Sequence, residues 1–275
     1  MIDSGCSTGH RQFQLSKKRR IGPLAAALLC AFSLSACATG PRGDPPPDPT
    51  LAPDPFEPFN RAMLGVNTGI ENVIAKPLDT VYRGVAPKPV RKGISNVADN
   101  LGEPITFMND LLQGRPGRAG KTLIRFIVNS IIGVAGFYDV AKLDGLPRHS
   151  EDFGQTLGVW GVKSGPYLVL PLFGPTTVRD SIGDTVDAFA DPVYRVLNST
   201  AATYALWTSE TFIDYDNNRD ELENLRKSSI DFYSALRSAY LQYRQSGVYN
   251  GQVPRGDAMP DILDSLPEDE LAPAK

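Results

Sequence analysis

The most informative run of apolar and polar positions lies at Lys121 to Val140, K-T-L-I-R-F-I-V-N-S-I-I-G-V-A-G-F-Y-D-V. It is too apolar for an ordinary surface helix, yet Arg125, Asn129 and Asp139 interrupt it. At about 100° per residue, Arg118, Lys121, Thr122, Arg125 and Asn129 gather within a polar arc of roughly 100°. Leu123, Ile124, Phe126, Ile127, Val128 and Ile131 fill most of the remaining circumference. A soluble surface helix has the opposite ratio, with a minority apolar stripe. A central Arg costs a spanning helix about 2.5–3.5 kcal/mol or more, so the run is not read as a simple transmembrane span. Two environments suit it: the middle of a large core whose polar groove meets the stripe, or partial immersion in lipid with the stripe facing a water-filled passage.

The rest of the chain reads as further helices. Phe59, Met63, Val66, Ile70, Val73 and Ile74 keep helical spacing until Lys76-Pro77, where the helix is expected to stop. Val90, Ile94, Val97 and Leu101 mark another, expected to break at Gly102-Glu103-Pro104; Ile105, Met108, Leu111 and Leu112 mark a third. Gly133 and Gly136 suggest a bend. Gly154 to Pro175 mixes breakers with large apolar residues and reads as irregular, because Pro166 and Pro171 argue against a central strand at Tyr167 to Phe173. Such a segment must be covered by a core, a partner or acyl chains. Thr176 to Phe189 is helical, one or two helices follow between Tyr194 and Ile213, and a last one is expected from the capping-box spacing of Asn218 and Glu221. That last helix lines up Leu222, Leu225, Phe232, Leu236, Ala239 and Tyr243 opposite its charges, the pattern of a helix made for water. Nothing alternates with period two for long, so the fold class is all-α.

The ends of the chain change the picture. Lys17-Lys18-Arg19-Arg20, the apolar Ile21 to Ser33 and the tetrapeptide Leu34-Ser35-Ala36-Cys37 read as a bacterial lipoprotein leader over residues 1–36, with diacylation of Cys37. Several acyl chains at about 0.8 kcal/mol per buried methylene give a stable anchor. Ala38, where an Asp would signal retention in the inner membrane, favours the outer one. Residues 37–58 form a Pro-rich tether expected to stay outside the core. Residues 59–246 are the helical body, and 247–275 are an acidic tail expected to be disordered. Losing the leader removes five basic residues and one acidic, leaving 23 against 30 and a net charge of −7.

Processing also strips away candidate chemistry. Cys37 is the one Cys left and is spent on the lipid, so no disulfide or Cys-based metal site is expected. His149 is the one remaining His, and any catalytic triad would have to use it. Gly5-Cys6-Ser7-Thr8-Gly9 matches a nucleophile elbow but lies in the leader. Gly114 to Thr122 imitates a phosphate-binding loop with its spacing off by one residue and no strand before it. No enzyme activity, metal, cofactor or nucleic-acid partner is expected.

Four motifs carry a resemblance. D-P-F-E-P-F-N-R (Asp54 to Arg61, with Phe59, Asn60 and Arg61), F-G-Q-T-L-G-V-W-G-V (Phe153, Gly154, Gly158, Gly161), G-P-Y-L-V-L-P (Gly165, Pro166, Pro171) and G-P-T-T-V-R-D (Gly174, Pro175, Arg179, Asp180) resemble the MlaA (VacJ) family. The resemblance covers roughly Asp54 to Tyr243. It implies a ring-like bundle of amphipathic helices embedded in the inner leaflet of the outer membrane, on its periplasmic side. Such a protein would remove phospholipid misplaced in the outer leaflet and pass it down an amphipathic channel to a periplasmic phospholipid carrier, alongside a trimeric porin. The residues Arg118, Lys121, Arg125 and Asn129 are the expected polar wall of that channel, where they would lower the desolvation cost of a crossing head group. The alternative is a structural or assembly-factor envelope lipoprotein that moves no lipid. A lipid hydrolase, lacking a nucleophile–His–Asp pattern, is the third possibility.

Overall fold

The computed structural model describes residues 48–196 and 199–253. The leader, Cys37, Asn198 and the acidic tail from residue 254 lie outside the described residues. The chain enters through a 3-10 turn, Pro49–Leu51, capped by Asp48. The first helix, α1 (Glu57–Ile70), does not stop at Lys76-Pro77 as expected. It passes through a π-helical turn at Glu71–Ala75 into α2 (Lys76–Val85). The wider turn shifts the ladder, with the Lys76 amide reaching back to the Glu71 carbonyl, so Pro77 falls in a first turn where a missing N–H costs nothing.

The expected break at Pro104 is also absent. α3 (Lys88–Leu112) is one helix with Pro104 inside it. An interior Pro costs about 3 kcal/mol, which tertiary contacts must offset, and α3 has buried positions from Gly93 to Asp110, on both sides of Pro104. It forms an antiparallel hairpin with α4 (Pro116–Ile131), the opening run of the sequence. A tight turn follows, in which Val134 and Ala135 are left-handed at φ 54° and 55°. Short helices α5 (Val140–Leu143) and α6 (Phe153–Val159) come next, capped by Asp139 and Asp152.

The segment read as irregular contains a small hairpin: β1 (Tyr167–Leu170) pairs antiparallel with β2 (Gly174–Thr177), Tyr167 opposite Thr177. Pro166 and Pro171 flank β1 instead of sitting in it, and Pro175 lies on an edge strand, where its missing donor is tolerated. The other edge of β1 is satisfied by side chains. Asn60 donates to the Tyr167 carbonyl (3.0 Å) and accepts from the Val169 amide (2.9 Å). One heptad later, Asn67 does the same for Leu170 and Leu172, both at 2.9 Å. Two Asn on one helix face therefore replace a third strand.

α7 (Val178–Ala190), capped by Thr177, and the short α8 (Pro192–Val196) lead to α9 (Thr200–Ser228), capped by Ser199. Asn218 is mid-helix and donates to the Asp214 carbonyl, so the capping-box reading is overturned. The actual boundary is Ser229 to Asp231, with Asp231 capping α10 (Phe232–Val248). The tether is partly docked as well: Arg237 of α10 donates to the carbonyls of Thr50 and Ala52, and the Tyr233 hydroxyl bonds Asp54. A modest apolar core of Tyr167, Val169, Tyr233 and Leu241, with Met63, Leu64 and Tyr240 against it, joins α1, β1 and α10. Successive packing partners close a circuit: α3 on α9, α9 on α10, α10 on α6, and α6 back on α3.

Candidate functional site, an inverted interior

Burial in this molecule runs against the usual rule that apolar side chains go inside. Among the described residues, seven apolar side chains are buried against nineteen polar or charged ones. The α3–α4 hairpin shows the inversion most clearly. On α3 the buried side chains are Ser95, Asn100, Glu103, Thr106, Asn109 and Asp110, none of them apolar; on α4 they are Ala119, Thr122, Arg125 and Asn129. Ile124, Ile127, Ile131, Ile132 and Val134 face outward, Ile131 at 75 % exposure. The outward apolar surface continues over Val73, Ile74, Leu78, Val81 and Val85 on the first helices and Ile182 and Phe189 on α7.

The polar arc of α4 is zipped to α3 by opposite charge. Arg125, 2 % exposed, donates to Glu103 (3.0 Å), lies 3.2 Å from Asp139 and reaches the Leu146 carbonyl. Thr122 donates to Asp110 (2.8 Å), and Arg118 lies 3.4 Å from Asp110 and donates to Glu151 (2.7 Å). Asn129 donates to Asp139 and accepts from the Ala141 amide, both at 3.0 Å. Even with its Arg partner, burial keeps the Glu103 carboxyl above its ordinary range. Arg125 and Asn129 therefore do not face open water in this structure: carboxylates and amides on facing elements fill their surroundings. Lys121 stands apart from the seam and is exposed. Of the four expected residues, Arg118 borders a cavity.

That cavity, about 340 Å³, opens between α4, the loop before α6, and the end of α10. Arg118, His149, Glu151, Gln155, Arg244 and Asn250 are among its lining. Arg244 is held by Asp152 (2.6 Å) and Asp180 (2.8 Å), a clamp joining α6, α7 and α10. Burial alone would raise both carboxyls, but the Arg244 guanidinium bound to each holds them below the usual range. His149 bonds Asp110 at 2.8 Å, which ties this side chain to structure.

The family-motif residues fall into place around these features. Asn60 is the β1 clamp described above; Arg61 is exposed and pairs with Glu57 and Asp231, and Phe59 is exposed beside it. Phe153 meets Trp160 edge to face at 5.7 Å. A Cβ on Gly183 would lie 2.2 Å from the Gly154 nitrogen, so α6 and α7 touch backbone to backbone. Gly158 leaves room for the Arg179 guanidinium and Val248, and Arg179 bonds Asp180 at 2.9 Å. Gly161 lies in the turn after α6, while Gly165 and Gly174 take left-handed φ at the ends of the hairpin segment that also holds Pro166, Pro171 and Pro175.

Sequence reasoning missed the acids. Glu103 and Asp110 are seven residues apart on α3, as Arg118 and Arg125 are on α4, and that matched heptad was the available signal. It also missed Asp184 and Asp214, which keep contact with water yet are enclosed enough for burial to raise their carboxyls, Asp184 to about 6.

Comparison with known proteins agrees with this geometry. The MlaA lipoprotein family model matches residues 52–247. The chain belongs to the MlaA lipoprotein family. It is 36% identical over 227 residues to the Escherichia coli K12 intermembrane phospholipid transport system lipoprotein MlaA, covering 78% of this chain and 87% of that one. The Haemophilus influenzae protein of the same name is 31% identical over 254 residues, covering 90% and 96%. A solved chain described as “Structural basis for maintenance of bacterial outer membrane lipid asymmetry” superposes with a TM-score of 0.64 at 34% identity, covering 72% of this chain and 100% of that one. The all-α architecture and the MlaA resemblance read from the sequence are thus both upheld.

Proposed function

We propose that this lipoprotein sits in the inner leaflet of the outer membrane, removes phospholipid misplaced in the outer leaflet and hands it to a periplasmic carrier, beside a trimeric porin. The inverted burial carries the reading: apolar side chains face outward around a polar, charge-paired interior. Each exposed Ile or Val that passes from water into acyl chains gains roughly 1.5–3 kcal/mol, so the outward stripes favour lipid. Among the described residues no helix is long and apolar enough to cross a membrane. Several amphipathic helices sharing one leaflet satisfy both facts, and acylated Cys37 tethers them there. The circuit of α3, α9, α10 and α6 and the cavity at Arg118 supply polar surface past which a head group can move. Arg125 and Asn129 serve this passage by holding its wall together. Movement runs downhill or is driven by a partner.

The test is complementation in a bacterium whose own family member has been deleted. Expression of this chain should return surface-exposed phospholipid to the wild-type level, and Cys37→Ala should fail to do so. Unchanged surface phospholipid despite correct outer-membrane localisation would favour the assembly-factor reading.

A further inference from the structure

The cavity between α4, the pre-α6 loop and the end of α10 has a chemistry of its own. Asn250, at φ 53°, is held in the left-handed region, and both its amide oxygen and its amide nitrogen are buried without a partner. Arg244 Nε is buried and equally unpartnered. An orphaned buried polar atom costs about 1–3 kcal/mol, so three beside one cavity point to a group that completes them. Two donors and one acceptor are on offer.

The charges already present decide what kind of group that is. Arg118 shares its charge with Glu151 and Asp110, and Arg244 shares its own with Asp152 and Asp180. Arg179 is paired with Asp180 as well, so four carboxylates stand against three guanidiniums, and a lone anion meets no net positive field. A group bringing its own cation meets a better match: phosphate oxygens toward Arg244 Nε–H and the Asn250 NH₂, an ammonium toward the Asn250 carbonyl oxygen and Glu151. At about 340 Å³ the space is at the small end of the ~300–1,000 Å³ range of ligand sites, and most of the residues that line it are polar or charged.

We propose that this cavity binds the zwitterionic phosphodiester head group of an amine-bearing phospholipid, in preference to an anionic head group or free phosphate. The proposal rests on the lipid-transfer reading above and names the class of lipid it would favour. The occupant is a phosphodiester and an ammonium on one short linker, with the acyl chains left outside.

Full-length mature protein, purified in detergent, is titrated calorimetrically with glycerophosphoethanolamine, glycerophosphoglycerol and inorganic phosphate. Glycerophosphoethanolamine is expected to bind at least tenfold more tightly than either of the others. Asn250→Gly, which suits the left-handed backbone and removes the amide, should weaken that binding about tenfold with no change in melting temperature. Asn250→Asp should weaken it further by placing a carboxylate against the phosphodiester. Equal binding of inorganic phosphate, no binding of any probe, or wild-type affinity in Asn250→Gly would overturn the proposal. The complementation assay reads separately: clearance without head-group binding sinks this site alone, and binding without clearance sinks the transfer reading alone.

Discussion

Helices α4 and α10 lie in one body and obey opposite rules. α10 buries Tyr233, Leu236 and Leu241 and contributes to an apolar core, as a helix in water does. α4 buries Thr122, Arg125 and Asn129 and leaves Leu123, Ile124, Ile127 and Ile131 outside. The difference teaches where the solvent of each region lies. Around α10, burial removes apolar surface from water and stabilises the fold in the usual way. Around α3 and α4 there is little such gain, so cohesion comes from ion pairs and hydrogen bonds, and the outward apolar face is stabilised by whatever surrounds it.

Breaking the polar seam should have the largest effect. Arg125→Leu leaves Glu103 buried without its cation, and removing one partner of such a pair costs about 3–5 kcal/mol. Denaturant unfolding in detergent should show a loss of that size; a loss under ~1 kcal/mol would mean the seam is not what holds α4. Asn60→Ala is next. It leaves the Tyr167 carbonyl and Val169 amide unsatisfied at the edge of β1, and should cost about 1–3 kcal/mol by the same measurement.

The acid-range pH profile sharpens the contrast further. Asp184 and Asp187 are both raised to about 6, chiefly by burial, from an ordinary value near 4. Between those values the folded state holds protons that the unfolded chain has released, so their contribution to stability falls as pH rises through about 4 to 6. Asp152 and Asp180, held low by Arg244, act in the other direction and lose their contribution as pH falls below the ordinary carboxylate range. Asp184→Asn should therefore flatten the decline between about pH 4 and 6, read as melting temperature against pH; an unaltered slope refutes the assignment. The smallest effect on folding should come from Ile124→Ser with Ile131→Ser. These exposed changes should each shift stability by no more than about 0.5 kcal/mol, yet weaken retention of the non-acylated Cys37→Ala protein on phospholipid vesicles. Equal retention would remove these two residues from the lipid-facing surface.

Much of this was legible in the chain. The wide apolar arc of α4 and the all-α class follow from residue spacing, because helical periodicity is local and side chains three and four apart share a face in any environment; the family was legible separately, as a resemblance in four motifs. The docked start of the body at Thr50 and Ala52 and the hairpin of β1 and β2 were not legible. Both depend on partners far along the chain, Arg237 for one and the Asn60–Asn67 pair for the other. Pro77 and Pro104 misled for a related reason: local propensity says break, while a π turn in one case and the α3–α4 seam in the other keep the helix going.

The sequence alone determined which side chains of α4 lie together; it could not say what they lie against. Only the tertiary structure decided that the polar arc meets Glu103, Asp110 and Asp139. Charge pairing between helices is a relation between two surfaces. One strand of residues fixes each surface separately, and the energy that chooses their register exists only once they are brought together.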